Sequence, residues 1–138
     1  MHLPMPPYAV TAKLADLIEA RAVSLAERVV AAQLATDSEI ATRYGTRERR
    51  KSVEDATHTL RELAEAVAND DPAAFLRYIA WLEGILLRVG LPRSDLARHL
   101  VLLREHILGE LPAEFSGLLR RFLDAAVHLV MPDEESRE

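Results

Sequence analysis

The chain has 138 residues, no cysteine and a net charge of −5. This length favours a single domain, and the lack of cysteine excludes disulfide frameworks, thiolate metal sites and a cysteine nucleophile. The negative charge argues against nucleic acid as a partner, because phosphate binding usually needs a basic face. No apolar run approaches the roughly 20 residues that cross a bilayer, and the N-terminus lacks the pattern of a secretion signal. We therefore expect no membrane association and a cytoplasmic location.

The first predicted helix is long. Thr11 is its expected N-cap, it runs to about Gln33, and residues 1–10 before it are expected to be flexible. Its apolar face carries Leu14, Ile18, Leu25, Val29 and Ala32. A short helical segment through Ile40 then ends at Gly45, a typical glycine stop.

The second long helix is predicted from about Arg47 to Ala68, with Thr46 as its N-cap. Apolar residues follow one another at alternating steps of three and four, the spacing of a seam that packs against a neighbouring helix. They are Val53, Ala56, Leu60, Leu63 and Val67. The opposite face of this helix is charged.

The third predicted helix has clear start and stop signals. The Asp71 side chain can accept the unpaired early amides, Pro72 suits the first helical position, and Gly90 is expected to end the helix. Two apolar stripes run along it, one with Phe75, Ile79, Leu82, Leu86 and Val89, the other with Tyr78, Trp81 and Ile85. A helix with two apolar faces belongs in the centre of a bundle or at a subunit interface.

Two further helices complete the predicted fold. The fourth begins after Pro92 and the fifth spans about Pro112 to Val130, while residues 131–138 form a flexible tail. The expected buried residues are Leu96, Leu100, Leu103 and Ile107 on the fourth, and Phe115, Leu118, Leu119, Phe122, Ala126 and Leu129 on the fifth. The expected fold is an all-α bundle of five or six helices in one domain, residues 1–138, with globin-like packing as one candidate arrangement.

Several residues occur in a pattern that is found in a known family. They are Arg43-Tyr44-Gly45, the basic run from Arg47 to Arg50, Glu54 and Asp55 with His58 and Leu60, then Phe75, Tyr78 and Trp81 with Leu82, and Leu96 with Leu100 and Leu103. On these residues, the stretch from about Glu39 to Val130 resembles the N-terminal helical domain of Rsb-type stressosome co-antagonists. Similar domains precede cobalamin-binding and helix-turn-helix regulatory domains in other bacterial proteins.

The resemblance implies a non-enzymatic sensory or regulatory input module of bacterial stress signalling. Proteins of this kind usually continue into an output domain, whereas this chain ends after the helical module, so a separate signalling or output protein is the expected partner. A ligand or partner would bind one of two helix packings more tightly and shift their populations. No catalytic residues are expected, because the sequence has no glycine-rich phosphate loop and no nucleophile motif.

Phe75, Tyr78, Trp81 and Ile85 are candidates for a ligand pocket or an interface. Apolar pockets with a few polar tips bind small molecules, whereas aromatic residues at helical spacing often belong to the core. Because the other stripe of the same helix already supplies a core face, the stripe with Tyr78 and Trp81 needs cover from another helix or a second subunit. A symmetric homodimer is the expected arrangement.

A basic cluster surrounds the start of the second helix. It comprises Arg43, Arg47, Arg49, Arg50 and Lys51. Positive charge at a helix start opposes the helix dipole, at a cost of about a few tenths of a kcal/mol per charge. Either local acids such as Glu54 and Asp55 compensate this charge, or the cluster is a surface for an anion or an acidic partner.

Histidines are the remaining candidates for a cofactor ligand. His99 and His106 are seven residues apart on the fourth helix, so about 10 Å separates them along the axis and they cannot share one metal ion. We expect no metal site and no cofactor, with these histidines in the core or on its flanks. The alternative function is a sensor or carrier of a tetrapyrrole, haem or cobalamin, with His99, His106 or His58 as the haem ligand.

Overall fold

The computed structural model describes residues 7–36 and 46–131. Within these ranges the chain forms five α-helices and no strand, which confirms the predicted all-α bundle. The helices are α1 (Pro7–Thr36), α2 (Thr46–Ala68), α3 (Pro72–Arg88), α4 (Arg93–Glu110) and α5 (Ser116–Val130), with a short 3-10 helix (Ala113–Phe115) before α5. The most extensive contact joins α1 to α2. Helix α4 packs on α1 and α5, and α3 packs on α5 and α2.

The first helix begins earlier than predicted. It starts at Pro7, and Thr11 lies inside it, where the Thr11 hydroxyl donates a hydrogen bond to the Tyr8 carbonyl at 3.1 Å. The predicted start at Thr11 was therefore wrong, because a threonine inside a helix can bond a preceding carbonyl instead of capping. Residues 7–10 are helical, whereas residues 1–6 lie outside the described residues. Residues 132–138 and the predicted stop at Gly45 also lie outside the described residues.

The turn between α2 and α3 is built by two aspartates. The Asp71 N–H donates to the Ala66 carbonyl at 2.9 Å, and Asp70 takes a left-handed conformation with φ of 47°. The Asp71 carboxylate then accepts the Ala74 N–H at 3.2 Å, with Pro72 at the first helical position. The predicted start of α3 is confirmed, since the same short segment satisfies the last carbonyls of one helix and an early amide of the next.

The end of α3 follows the predicted glycine stop. Gly90 has φ of 87°, its N–H donates to the Leu87 carbonyl at 3.1 Å, and the Leu91 N–H donates to the Leu86 carbonyl at 2.9 Å. This pair of bonds is the Schellman arrangement, which needs a residue that adopts positive φ. The chain therefore reverses here, and α4 returns alongside α1.

The core contains most of the predicted apolar positions. The largest fully buried side chains are Phe75, Phe122, Leu14, Ile18, Leu25, Leu60, Leu63, Ile79, Leu100, Leu103, Ile107 and Leu119. The prediction failed for Leu129, which is 43 % exposed, while Leu123, Val127 and Val130 are buried instead. The buried face of α5 contains these three residues because the helix packs against both α3 and α4.

Candidate functional site

A cleft opens between α1, α2, α3 and α4. Its volume is about 140 Å³, close to the roughly 150 Å³ cavity that accepts benzene in an engineered protein core. It is lined by Val30, Gln33, Leu34, Ser52, Asp55, Ala56, Thr59, Leu82, Leu86, Leu91, Asp95, Leu96 and His99. We call it the four-helix cleft. Its wall is mainly apolar with a few polar groups, the usual composition of a small-molecule site.

The cleft exists because α2 carries small side chains where it faces its neighbours. Ser52, Ala56 and Thr59 follow one another at steps of four and three, so they share one side of the helix. Leu82 and Leu86 of α3 lie opposite and are only partly buried. Two residues of the stripe that was predicted to be core, Leu82 and Leu86, therefore line the cleft. The prediction was wrong for Val89 of the same stripe, which is 68 % exposed.

A chain of hydrogen bonds holds the polar side of α2 in place. The Thr59 hydroxyl is buried, donates to the Asp55 carbonyl at 3.2 Å and lies 3.0 Å from the Tyr78 hydroxyl. With the Thr59 proton given to the Asp55 carbonyl, the Tyr78 hydroxyl donates to Thr59. Burial raises the pKa of Tyr78. The phenol therefore stays protonated and ties α3 to α2.

His99 lies in the wall of the cleft on α4. Its Nδ1 is 3.1 Å from Oε1 of Gln33 on α1. Because an amide oxygen only accepts, Nδ1 carries the proton and Nε2 is left as an acceptor. Burial lowers the pKa of His99 from 6.5 to about 4, so the ring is neutral at physiological pH.

Two carboxylates add negative charge to the four-helix cleft. Asp55 comes from the first half of α2, and Asp95 comes from the first turn of α4. Among the described residues that line the cleft there is no lysine or arginine. With His99 neutral, the lining carries two negative charges and no positive one.

The aromatic candidates of α3 spread over three environments. Phe75 is 1 % exposed and belongs to the core, Tyr78 is partly buried, and Trp81 is 56 % exposed. Each ring nevertheless packs against the next one along the helix. The ring centroids are 6.3 Å apart for Phe75 and Tyr78 and 5.8 Å apart for Tyr78 and Trp81. Steps of three fall about 60° short of a full turn, so the row spirals from the core to the surface. Ile85 is partly buried, and none of the four lines the cleft.

The described side chains of the basic cluster, those of Arg49, Arg50 and Lys51, do not line the cleft. Arg49, Arg50 and Lys51 are exposed on the first turns of α2, and none of them pairs with a described acidic side chain. Whether local acids, among them Glu39, Glu48, Glu54 and Asp55, or a bound anion compensate this charge stays a prediction. Arg47 is the second residue of α2, and Arg43 lies outside the described residues.

The three candidate haem ligands lie apart from one another. His99 lines the cleft, whereas His106 does not, and His58 is exposed on α2. The His58 ring contacts Tyr78 edge-on at 5.6 Å and lies 3.6 Å from Glu62. Within residues 7–36 and 46–131, no three histidine, aspartate or glutamate side chains are grouped as a metal site.

A second groove runs between α1 and α2. It is more open than the four-helix cleft, and most of its wall is charged. It is lined by Ala15, Asp16, Glu19, His58, Arg61, Glu62, Ala64, Glu65 and Ala68. Arg61 lies 3.9 Å from Glu19 across the groove, so part of this charge is paired within the chain.

None of the helices in the described ranges is long and apolar enough to cross a membrane. Comparisons of the chain with protein-family models, curated proteins and solved structures give no match. The resemblance to the Rsb-type domain therefore stays a prediction.

Sequence reasoning did not find the four-helix cleft. One signal was present: Ala56 is a small residue in the predicted seam of this helix, and Ser52 and Thr59, on the same side of the helix, are small and polar. Asp95 gave no signal, because an acid in the first turn of a helix is expected from the helix dipole alone. Asp55 and Asp95 belong to one site only because α2 and α4 both border the cleft, and this arrangement depends on tertiary packing.

Proposed function

We propose that this protein is a non-enzymatic sensory or regulatory module that binds a small molecule in the four-helix cleft. The observation that supports the proposal is the composition of the cleft. Seven apolar side chains, Val30, Leu34, Ala56, Leu82, Leu86, Leu91 and Leu96, surround polar groups contributed by three helices. A ligand there contacts all four helices at once, so its binding energy favours whichever helix packing fits it.

The polar groups of the cleft support binding more than catalysis. The Thr59 hydroxyl is bonded to the Asp55 carbonyl and to Tyr78, and Nδ1 of His99 is bonded to Gln33. These bonds position the groups on a rigid wall. A hydrolytic site would instead need a nucleophile hydrogen-bonded to a base that is ready to take its proton.

The outward face of α3 is the proposed contact with a second copy of the chain. Trp81 and Leu87 are exposed there, and Gly84 lies between them with open space where a Cβ would be. A two-fold axis at Gly84 would set Trp81 of one copy against Leu87 of the other in an antiparallel pair of helices. Arg88 follows Leu87 and could cover the ring of Trp81 across the same axis.

The first experiment is native mass spectrometry of the purified protein, since one spectrum reports oligomeric state and retained small molecules. Binding is then measured for Ser52→Trp, which fills the cleft from its rim, and for Ser24→Trp, an exposed position on α1 outside it. We expect Ser52→Trp to lose the ligand and Ser24→Trp to keep it. Equal binding by both folded variants would refute the assignment of the cleft.

The dimer is tested separately with Trp81→Glu. Trp81 is exposed, so this variant should fold and become monomeric. Tyr8→Glu is the matched control, because Tyr8 is 76 % exposed on α1, away from the proposed contact. A folded Trp81→Glu variant that keeps the dimer mass, or a wild-type protein that is monomeric at micromolar concentration, would remove the α3 interface from the proposal.

The tetrapyrrole alternative is less well supported by the cleft. A volume of about 140 Å³ suits one ring the size of benzene, whereas a tetrapyrrole contains four linked rings. Of the three candidate histidines only His99 lines the cleft. A visible absorbance band in the purified protein that disappears in His99→Ala would nevertheless reverse this order of preference.

A further inference from the structure

The charge of the four-helix cleft selects among small molecules. Asp55 and Asp95 reach it from α2 and α4, and its described lining has no cation to offset them. Lys51 and Arg98 lie one turn from these aspartates, and neither lines the cleft. Asp55 is exposed at the rim, and Asp95 is partly buried. An anionic ligand would meet like charges in a partly apolar site, which costs binding energy.

The polar groups of the cleft favour a ligand that donates hydrogen bonds. The two carboxylates only accept, and Nε2 of His99 accepts because Nδ1 is engaged by Gln33. The Thr59 hydroxyl is already used within the chain. Among the remaining described polar side chains of the lining, the Ser52 hydroxyl can donate. Acceptors therefore outnumber donors, and a protonated amine with up to three N–H groups complements them.

The apolar wall limits the size and polarity of the uncharged part of the ligand. Leu82 and Leu86 of α3, Leu91 from the turn after it, and Val30 and Leu34 of α1 line the cleft. A volume of about 140 Å³ admits an apolar body of roughly the size of a benzene ring. A longer or doubly ringed body would have to extend out of the open side.

We propose that the ligand of the four-helix cleft is a small organic ammonium ion, whose charged group is held by Asp55 and Asp95 and whose apolar body is about the size of one benzene ring. This inference rests on the proposed function and adds to it the chemical class of the ligand. The carboxylates supply specificity for the cation, and the leucines supply the burial of its body.

The test uses three probes of matched shape, benzylamine, benzyl alcohol and benzoate, with binding to the full chain measured by ligand-observed NMR at millimolar concentration. Benzylamine is expected to bind about tenfold more tightly than benzyl alcohol, the typical gain from a charged hydrogen bond. Benzoate is expected to bind least. In Asp55→Asn combined with Asp95→Asn, benzylamine should lose this advantage, whereas Asp16→Asn, an exposed position on α1 outside the cleft, should retain it.

The outcomes separate the ligand class from the proposed function. Equal binding of all three probes, with each blocked by Ser52→Trp, would overturn the ammonium proposal and leave the cleft as a binding site. A benzylamine preference that survives the double asparagine variant would overturn the role of the two carboxylates. If none of the probes binds the wild-type protein, the ammonium proposal and the proposed function both fail.

Discussion

Acidification should destabilise this protein through His99. The ring donates from Nδ1 to Gln33, and burial lowers its pKa from 6.5 to about 4. In the unfolded chain His99 takes up a proton as the pH falls below 6.5, whereas in the folded chain it does so only near pH 4. The unfolded state therefore binds more protons between these values, and the free energy of unfolding decreases as the pH falls through that window.

The size of the effect follows from the two pKa values. Above pH 6.5 His99 is neutral in both states and contributes nothing to the pH dependence. Between pH 7 and pH 5 the contribution of His99 to the free energy of unfolding should fall by about 2 kcal/mol, and by pH 4 the total loss should be about 3 kcal/mol, after which it levels off. This is a sizeable part of the roughly 5–15 kcal/mol that stabilises a typical domain.

The assay compares urea unfolding of the wild-type protein and of His99→Gln at several pH values between 5 and 8. The variant loses the bond to Gln33 at every pH, but it keeps all other titrating groups, including Asp55 and Asp95 in the same cleft. The difference in unfolding free energy between the two proteins should therefore shrink by about 2 kcal/mol from pH 7 to pH 5. A difference that stays constant, or that grows on acidification, would refute the reasoning, and an NMR titration of the His99 ring gives the pKa directly.

Two further predictions concern the turn between α2 and α3. Asp71→Ala should lower the free energy of unfolding by about 1 kcal/mol, because the Ala74 N–H loses the side-chain acceptor at 3.2 Å and keeps only the Asp71 carbonyl at 3.1 Å. Asp71→Asn keeps a side-chain oxygen at that position and should cost much less, and equal losses in urea unfolding would argue against the cap. Asp70 has φ of 47°, so Asp70→Gly should be more stable than Asp70→Ala by about 1 kcal/mol. Both Asp70 variants lose the 3.3 Å contact with Arg121, so the difference in stability between them reports only the cost of the positive φ. An alanine variant as stable as the glycine variant would contradict this prediction.

Local signals made the helix boundaries around α3 predictable. Asp71 and Pro72 act on amides within one turn, and Gly90 acts on carbonyls of the preceding turn, so no tertiary information is needed to read them. Thr11 shows the limit of this approach. Its hydroxyl can cap a helix or bond a preceding carbonyl inside one, and the choice depends on whether the chain before it is already helical.

The cleft was not predictable because it depends on which helices become neighbours. Asp55 could be assigned to the basic cluster beside it in sequence, yet it lines a cleft with Asp95 on α4. Leu82 and Leu86 have the spacing of core residues and would be core if α2 carried leucine at Ser52 and Ala56. Small residues on one helix therefore change the role of correctly predicted residues on another.

Helix α3 is the element through which a ligand in the four-helix cleft would act on a partner. Leu82 and Leu86 on one side line the cleft, while Trp81 and Leu87, adjacent in sequence, are exposed on the outer face. Leu91 also lines the cleft, and its N–H is bonded to the Leu86 carbonyl, so the end of the helix is fixed to the same wall. A helix moves largely as a rigid body, and a displacement caused by a ligand against its inner leucines would therefore move Trp81 as well. On the proposed function, this single helix couples the small-molecule site to the dimer contact.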